Sequence, residues 1–240
     1  MDKITLSIYV PCFNEENNIV NTLNGIKEAV QNISYEVLVV DDASKDKTID
    51  MVEKFKKDNP NMNIKIFHNK NTQGVGFNYR VTAYKAIGKY YMMIPGDGPE
   101  ASAEIKKVVN NIGKADMVLT YLIDNRGIFR RTLSRVFVFI INLVTMNNIK
   151  YYNGPNIHLL ENVKLYSGRS SGFGYSAELI TTQIREKKTY VDVEIITPYT
   201  KPSKKTQLLD PRIIPSVIGS IVSIFFNQII HVVKKNLKIK

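Results

Sequence analysis

A chain of 240 residues with 44% hydrophobic and 23% charged side chains can bury one substantial core and has the make-up of an ordinary globular protein. Its single cysteine, Cys12, excludes an internal disulfide framework, so nothing ties the fold to an oxidising compartment. The net charge of +11 is one-sided: residues 1–120 carry 15 basic and 15 acidic side chains and residues 121–240 carry 18 and 7, so the second half faces something anionic, be it nucleic acid, a membrane surface or a phosphorylated substrate.

The first strand-like run, Ile4 to Val10, is short, contains Thr5, Ser7 and Tyr9, and meets Pro11 and Asn14 with no small-residue cleavage site. It is therefore expected to be a strand rather than a signal peptide, and the setting to be cytoplasmic. Ile19, Leu23, Ile26, Val30 and Ile33 follow at helical spacing. The next strand, Tyr35 to Val40, ends in the apolar run Val37, Leu38, Val39 and Val40, which stops at Asp41 and Asp42. Such a run predicts a strand buried on both faces, and open parallel sheets hold their ligands just beyond the carboxyl ends of such strands. Adjacent acids there repel each other and contribute little to folding, so a binding role is expected for the pair. Asp46, by contrast, precedes the helical pattern Ile49, Val52 and Phe55, and capping accounts for it.

After a strand at Ile64 to His68, the run Tyr90 to Ile94 again ends in polar residues, Pro95, Gly96, Asp97, Gly98, Pro99 and Glu100. The helical pattern Ala101, Ile105, Val108 and Ile112 follows, so Asp97 reads equally as a helix-start acid or as a ligand of a metal or polar substrate. One more strand, Met117 to Leu122, completes a β/α alternation. The expected class is α/β, a mostly parallel central sheet flanked by helices. Beyond residue 122 the alternation fades. A helix from near Ile128 clusters Arg126, Arg130, Arg131 and Arg135 and turns very apolar from Val136 to Met146. A glycine-rich section, Ser167 to Gly174, precedes a helix at about Ser176 to Lys187, a strand at Tyr190 to Ile196, and a proline-bearing loop from Thr197 to Pro211.

The last apolar segment, Ile213 to Val233, is long enough for a membrane crossing of roughly 20 residues. Its polar members Ser216, Ser220, Ser223, Asn227, His231 and Lys234 form one helical stripe, which fits a helix in a membrane interface or packed on the protein better than one surrounded by lipid. Lys234, Lys235, Lys238 and Lys240 would then meet anionic head groups. A core-closing helix is the competing reading. The basic half carries no nucleic-acid recognition motif and is also the most apolar half, which favours a membrane surface and no nucleic-acid partner.

Together, Pro11, Asn14, Glu15 and Glu16, then Asp41, Asp42, Ser44, Asp46 and Thr48, then Gly96 and Asp97 resemble the P-x-x-N-E-E, D-D-x-S-x-D-x-T and acidic motifs of family 2 glycosyltransferases of the GT-A (Rossmann-like) fold. Asn71, Gly74 and Gly76 match the family's N-x-G-x-G loop. The resemblance implies a nucleotide site built from Pro11, Asn14, Glu15, Asp41, Asp42, Gly74 and Gly76, with Asp42 accepting from the base. It implies that Asp97 holds Mg²⁺ or Mn²⁺ against the donor diphosphate, although Pro95 stands where the family often has a second acid. The second half is similar to the polyprenyl-phosphate sugar transferases of the dolichol-phosphate mannose synthase group, with Arg126, Arg130, Arg131 and Ser134 and a turn at Asn153 and Gly154. Arginine forks suit phosphate, so these residues would hold the donor diphosphate or an acceptor phosphate.

The expected domains are a glycosyltransferase unit over residues 1–211, with a nucleotide half to 120 and an acceptor half from 121, and an amphipathic helix over 212–240. The expected activity is inverting transfer from a UDP- or GDP-type nucleotide sugar to a polyprenyl phosphate or a glycan in cell-surface polysaccharide or glycoconjugate synthesis, at the cytoplasmic face of the membrane. A phosphate acceptor needs no base, whereas a sugar hydroxyl does, and Glu178 stands where sugar-directed relatives place one; first-turn capping explains Glu178 as well. A sugar nucleotidyltransferase and a nucleotide-sugar-binding relative without turnover are the alternatives.

Overall fold

The computed structural model describes residues 3–98, 101–123, 128–168, 170, 172, 174–196 and 214–237. In the first half β1 (Leu6–Cys12), α1 (Ile19–Ala29), β2 (Tyr35–Asp41), α2 (Thr48–Asp58), β3 (Ile64–His68), α3 (Val75–Lys85), β4 (Tyr90–Met93), α4 (Ser102–Val109) and β5 (Met117–Ile123) alternate. The second half adds α5 (Ile128–Thr145), β6 (Ile157–Leu159), α6 (Leu160–Leu165), α7 (Tyr175–Arg185), β7 (Tyr190–Ile196) and α8 (Ile214–Asn236). All seven strands join one sheet in the order β3-β2-β1-β4-β6-β5-β7, so both halves share a single core layer.

The apolar runs behave as a doubly covered parallel sheet demands. Ile8, Val10, Val37 and Val39 point into a cluster with Leu23 and Ile26 of α1, while Tyr9, Leu38 and Val40 point to the opposite face against α3 and α7. Pro11 lacks an N–H, and it is tolerated because the β1–β4 pairing has already ended at Tyr9 opposite Met93. β2 and β3 run to one side of β1 and β4 lies on the other, so the strand order reverses between β1 and β4. A crevice opens there at the carboxyl ends, the usual ligand position of such sheets.

Strand and helix ends shift by a few residues from the expectation, α6 has no counterpart in it, and two strands differ from it in other ways. The first strand runs from Leu6 to Cys12, two residues later than the apolar run Ile4 to Val10 suggests, because Thr5 bonds back to Ser34 before the ladder begins. β6 is a short strand, antiparallel to both β4 and β5, and the sequence offers no pattern for it. Its central residue, His158, is buried against Gln183, and burial pushes the imidazole down to about 4, so it sits there neutral.

The C-terminal helix does not close the core. α8 packs on α5 and α7, but within it only Ser220 and Ile224 are fully buried among the described side chains. The polar stripe begins against the body at Ser220, is half-buried at Ser223 and His231, and emerges at Asn227 and Lys234. The side chain of Ser216 and residues 238–240 lie outside the described residues.

Candidate active site

The loops after β1 and β2 are sewn together by their own motif residues. The Asn14 N–H donates to Ser44 Oγ at 2.9 Å, and the Lys45 N–H returns a bond to Asn14 Oδ1 at 2.8 Å. The Glu15 N–H donates to Thr48 Oγ1 at 2.8 Å, and Glu16 exchanges bonds with Asp46 and the Lys47 N–H. Asn14 takes a left-handed backbone, φ 55°, which asparagine tolerates because its short amide can bond locally. The two motifs are thus as much a structural clasp as a ligand site. Asp46 belongs to that clasp. Burial opposes its charge, but bonds from the Thr48 hydroxyl, the Glu16 N–H and the Thr48 N–H outweigh it and hold the carboxyl below its ordinary value.

The adjacent aspartates have separate roles. Asp41 has no exposed surface and turns inward, bonded to Ser44 and, at 2.7 Å, to His68 Nδ1. It can therefore shape the nucleotide region expected of it without touching a ligand in this arrangement. Asp42 faces the loop that leads into α3. Its Oδ1 accepts from Asn69 Nδ2 at 2.8 Å and the Gln73 N–H at 2.9 Å, and its Oδ2 accepts from the Gly74 N–H at 2.9 Å. Burial works against the charge, yet these bonds prevail and depress the Asp42 carboxyl below the usual carboxylate range. A carboxylate offers about four acceptor positions, and the Asn78 side chain joins the three donors above, so Asp42 stays ionised and is held by four groups of the protein. Gly74 opens α3 and Gly76 is buried within it, so the N-x-G-x-G residues form the mouth of a helix anchored by Asp42. Asn69 and Gln73, which the motif comparison passed over, complete this anchor.

The acidic motif after β4 forms a tight turn. The Gly96 N–H donates to Pro11 O at 2.9 Å, the Gly98 N–H donates to Pro95 O at 3.2 Å, and Thr22 Oγ1 of α1 donates to Gly96 O at 2.9 Å. Gly98 has φ +60°, and a Cβ there would stand 2.7 Å from Thr22 Oγ1, so both conformation and space require glycine. The turn leaves Asp97 exposed, at the crevice between β1 and β4. Pro99 and Glu100 lie outside the described residues.

Across the two halves, Tyr79 and Tyr175 pack with ring centroids 4.6 Å apart and planes tilted by 38°, and the Tyr175 hydroxyl donates to Met93 Sδ at 3.1 Å, which seats the start of α7 beside the end of β4. Glu178 stands in the first turn of α7 but is 2% exposed. Its Oε2 accepts from the Tyr166 hydroxyl at 2.6 Å and the Ser170 N–H at 3.3 Å, while Oε1 has no hydrogen-bond partner among the described residues. Burial and the neighbouring Glu178 charge push the Tyr166 phenol far up, so it serves as a donor only. Arg131 and Ser134 lie half-buried on α5. Arg126 and the side chain of Arg130 are outside the described residues. Asn153 is exposed in the turn before β6, and the turn is fixed by Asn156, whose Oδ1 accepts from the Thr120 N–H at 2.8 Å.

For a divalent ion the donor set is small. Among the described residues no three His, Cys, Asp or Glu side chains gather into a metal-binding group. A Mg²⁺- or Mn²⁺-type ion is commonly bound through one or two carboxylates together with substrate phosphates, and the exposed Asp97 carboxylate fits that arrangement with the ion arriving on a diphosphate.

Comparison with known proteins places these features. A family model described as glycosyl transferase family 2 matches residues 7–173. A dolichyl-phosphate beta-glucosyltransferase of Dictyostelium discoideum is 27% identical over 150 residues, 56% of this chain and 46% of the relative. A processive diacylglycerol beta-glycosyltransferase of Mycoplasma genitalium is 26% identical over 178 residues, 68% of this chain and 48% of the relative. The chain thus spans about half the length of these curated relatives. Among solved structures, glucosyl-3-phosphoglycerate synthase of Mycobacterium tuberculosis, crystallised with Mn²⁺, UDP and phosphoglyceric acid, superposes with a TM-score of 0.72 at 15% identity, over 92% of this chain and 78% of that one. That likeness bears out the GT-A fold.

Proposed function

The chain belongs to glycosyl transferase family 2, and from that premise we propose that it moves a sugar, with inversion, from a UDP- or GDP-type nucleotide sugar to a polyprenyl phosphate at the cytoplasmic face of a membrane. Residues 1–120 serve as the nucleotide half, 121–211 as the acceptor half, and 212–240 as a membrane-associated helix. Family membership favours glycosyl transfer over nucleotidyl transfer.

The observation that carries the donor side is the meeting of three strand ends. Pro11 and the clasp of Asn14 and Glu15 with Ser44 and Thr48, the ionised Asp42 carboxylate, and the exposed Asp97 follow β1, β2 and β4, three neighbouring parallel strands around the switch point. In this reading Asp42, with Glu15 and the Gly74–Gly76 mouth, orients the nucleoside. Asp97 would hold Mg²⁺ or Mn²⁺, which supplies charge neutralisation for the departing diphosphate. Arg131, with Arg126 and Arg130, binds phosphate oxygens through bidentate guanidinium contacts, and Ser134 and Asn153 border the acceptor.

Two features support a lipid-borne phosphate acceptor. α8 is long and apolar enough to span a membrane, yet only 11% of its apolar stretch Val217–Lys234 is buried. Glu178 is seated inside the protein by Tyr166 and Ser170 rather than presented on a surface. A phosphate monoester, with its second pKa near 6, is already ionised at neutral pH and attacks without a base. The name of the Dictyostelium relative, a dolichyl-phosphate beta-glucosyltransferase, agrees with this choice. The unpartnered Glu178 Oε1 favours a second reading, in which Glu178 deprotonates a glycan hydroxyl.

The proposal is tested by incubating the protein with UDP- and GDP-sugars and Mg²⁺ or Mn²⁺ and measuring nucleoside diphosphate release. Release that requires added polyprenyl phosphate supports it. Release that requires a glycan selects the Glu178-base reading, and binding without release under either condition identifies a relative without turnover.

A further inference from the structure

α5 and α8 are neighbours over one core cluster, where Ile141 of α5 and Ile224 of α8 are both buried, with Phe137, Val138 and Ile221 packed around them. Each helix therefore turns its opposite side away from the protein. On α5 that side is Ile128, Thr132, Val136, Phe139, Leu143 and Met146, spaced by threes and fours. Phe139 is 66% exposed, Leu143 68% and Met146 89%. On α8 the outward side includes Val222, Phe225, Phe226, Ile229, Ile230 and Val233, each between 41% and 58% exposed. Scattered apolar residues on a surface are ordinary, but two adjoining helices with continuous apolar stripes are not.

The charge pattern identifies what covers them. Neither helix contains an aspartate or glutamate, although the chain has 22 such residues, while α5 carries Arg130, Arg131 and Arg135 and α8 carries Lys234 and Lys235. Apolar faces on two helices that carry basic residues and no acid match an anionic lipid leaflet.

The orientation of α8 shows how it meets that leaflet. Its buried and half-buried positions among the described side chains, Val217, Ser220, Ile221, Ser223, Ile224, Gln228 and His231, lie on one side of the helix and face the body. Ser220 Oγ lies 2.9 Å from Ser170 Oγ, and a Cβ added to Gly174 would come within 2.0 Å of it, so the helix seats directly on the loop before α7. A helix fastened along one side cannot be ringed by lipid.

We propose that α5 and α8 form one membrane face, a two-helix raft that sinks its joint apolar side into the headgroup boundary of an anionic leaflet, with α8 lying flat rather than crossing. The proposal rests on the membrane reading above and adds α5 as its second half.

Flotation of the full chain with vesicles of phosphatidylcholine, with or without phosphatidylglycerol, tests it without any acceptor. Its outcome is therefore separate from that of the transfer assay. The parent should float with the anionic vesicles and be released by salt. The pairs Phe139→Glu/Leu143→Glu on α5 and Phe226→Glu/Ile230→Glu on α8 should each weaken partitioning by at least about tenfold. Because these side chains are exposed, both variants should melt like the parent by circular dichroism. An α5 pair that floats as well as the parent overturns the shared face. Binding that survives carbonate overturns the flat placement. If the pairs abolish a dimer seen by sedimentation and leave flotation unchanged, the stripes are an interface between two copies and the proposal fails.

Discussion

Replacing Asp42 by alanine removes a structural anchor and, under the proposed function, a nucleotide contact. In the native protein this carboxylate accepts from Asn69, from the Gln73 N–H and from the Gly74 N–H, tying the end of β2 to the mouth of α3. A hydrogen bond to a charged group is worth about 1.5–3 kcal/mol when its partner is left buried. Here Gln73 is exposed and Gly74 half-buried, so their freed N–H groups regain water and most of that cost is recovered. A net loss of about 2–3 kcal/mol remains, which in a chain of this size corresponds to a melting temperature lower by roughly 5–10 °C. Nucleotide affinity should fall at least about tenfold as well, because the proposed base contact is lost together with the loop geometry that Asp42 holds. Thermal melting by circular dichroism and calorimetric titration with UDP and GDP read the two effects separately. A variant that melts like the parent and binds the same nucleotide equally well would refute both the anchor and the assignment.

Asp97→Asn keeps the shape of an exposed turn residue, so melting should be unchanged while turnover drops by at least about a hundredfold, roughly 2.7 kcal/mol; undiminished turnover in excess chelator would leave the arginines as the neutralising groups. Gly154→Ala drives a Cβ to within 1.8 Å of Thr120 Oγ1 and should cost about 1–3 kcal/mol in urea unfolding, with partial recovery in the Thr120→Ala background; equal loss in both backgrounds would show that the close approach is not the cause. His158 is buried and neutral with its pKa held at about 4 against an ordinary 6.5, so the unfolded chain takes up the proton first. Its contribution is complete above pH 6.5 and falls by up to about 3 kcal/mol as pH drops toward 4, and urea titrations of the parent and His158→Gln at both ends of that window should show a slope that the variant lacks. Glu178→Gln should leave turnover on polyprenyl phosphate within about tenfold of the parent, whereas a general base would cost about a hundredfold or more.

The first half of the chain is legible because its signals are local and redundant. The apolar run Val37 to Val40 specifies a doubly buried strand, and the polar residues that interrupt it mark the end where a site forms. What the sequence hides is the division of labour among motif residues. Asp41 and Asp42 are adjacent and chemically identical, yet one is locked inward by Ser44 and His68 and the other faces the α3 mouth, since successive strand residues point to opposite sides. Asn14 reads as a nucleotide residue, but its N–H is spent on Ser44 and its amide oxygen on Lys45. In the second half the legible signals are composition and charge. β6 is too short to carry a period, and its register depends on β4 and β5, far away in the chain. The polar stripe of α8 is visible as a pattern, but only the packing of Ser220 and Ile224 shows that the stripe's start faces inward and the phenylalanines face out.

The account's central claim is inverting transfer of a sugar to a lipid-borne phosphate. It is tested most directly by supplying a nucleotide sugar labelled in the sugar, polyprenyl phosphate and Mg²⁺ or Mn²⁺ to the protein, extracting the lipid phase, and determining the anomeric configuration of the product by NMR. The account predicts label in a lipid-linked sugar phosphodiester whose configuration is opposite to that of the donor. Label that stays in the aqueous phase while a glycan hydroxyl accepts it, or a lipid product that retains the donor's configuration, would contradict it.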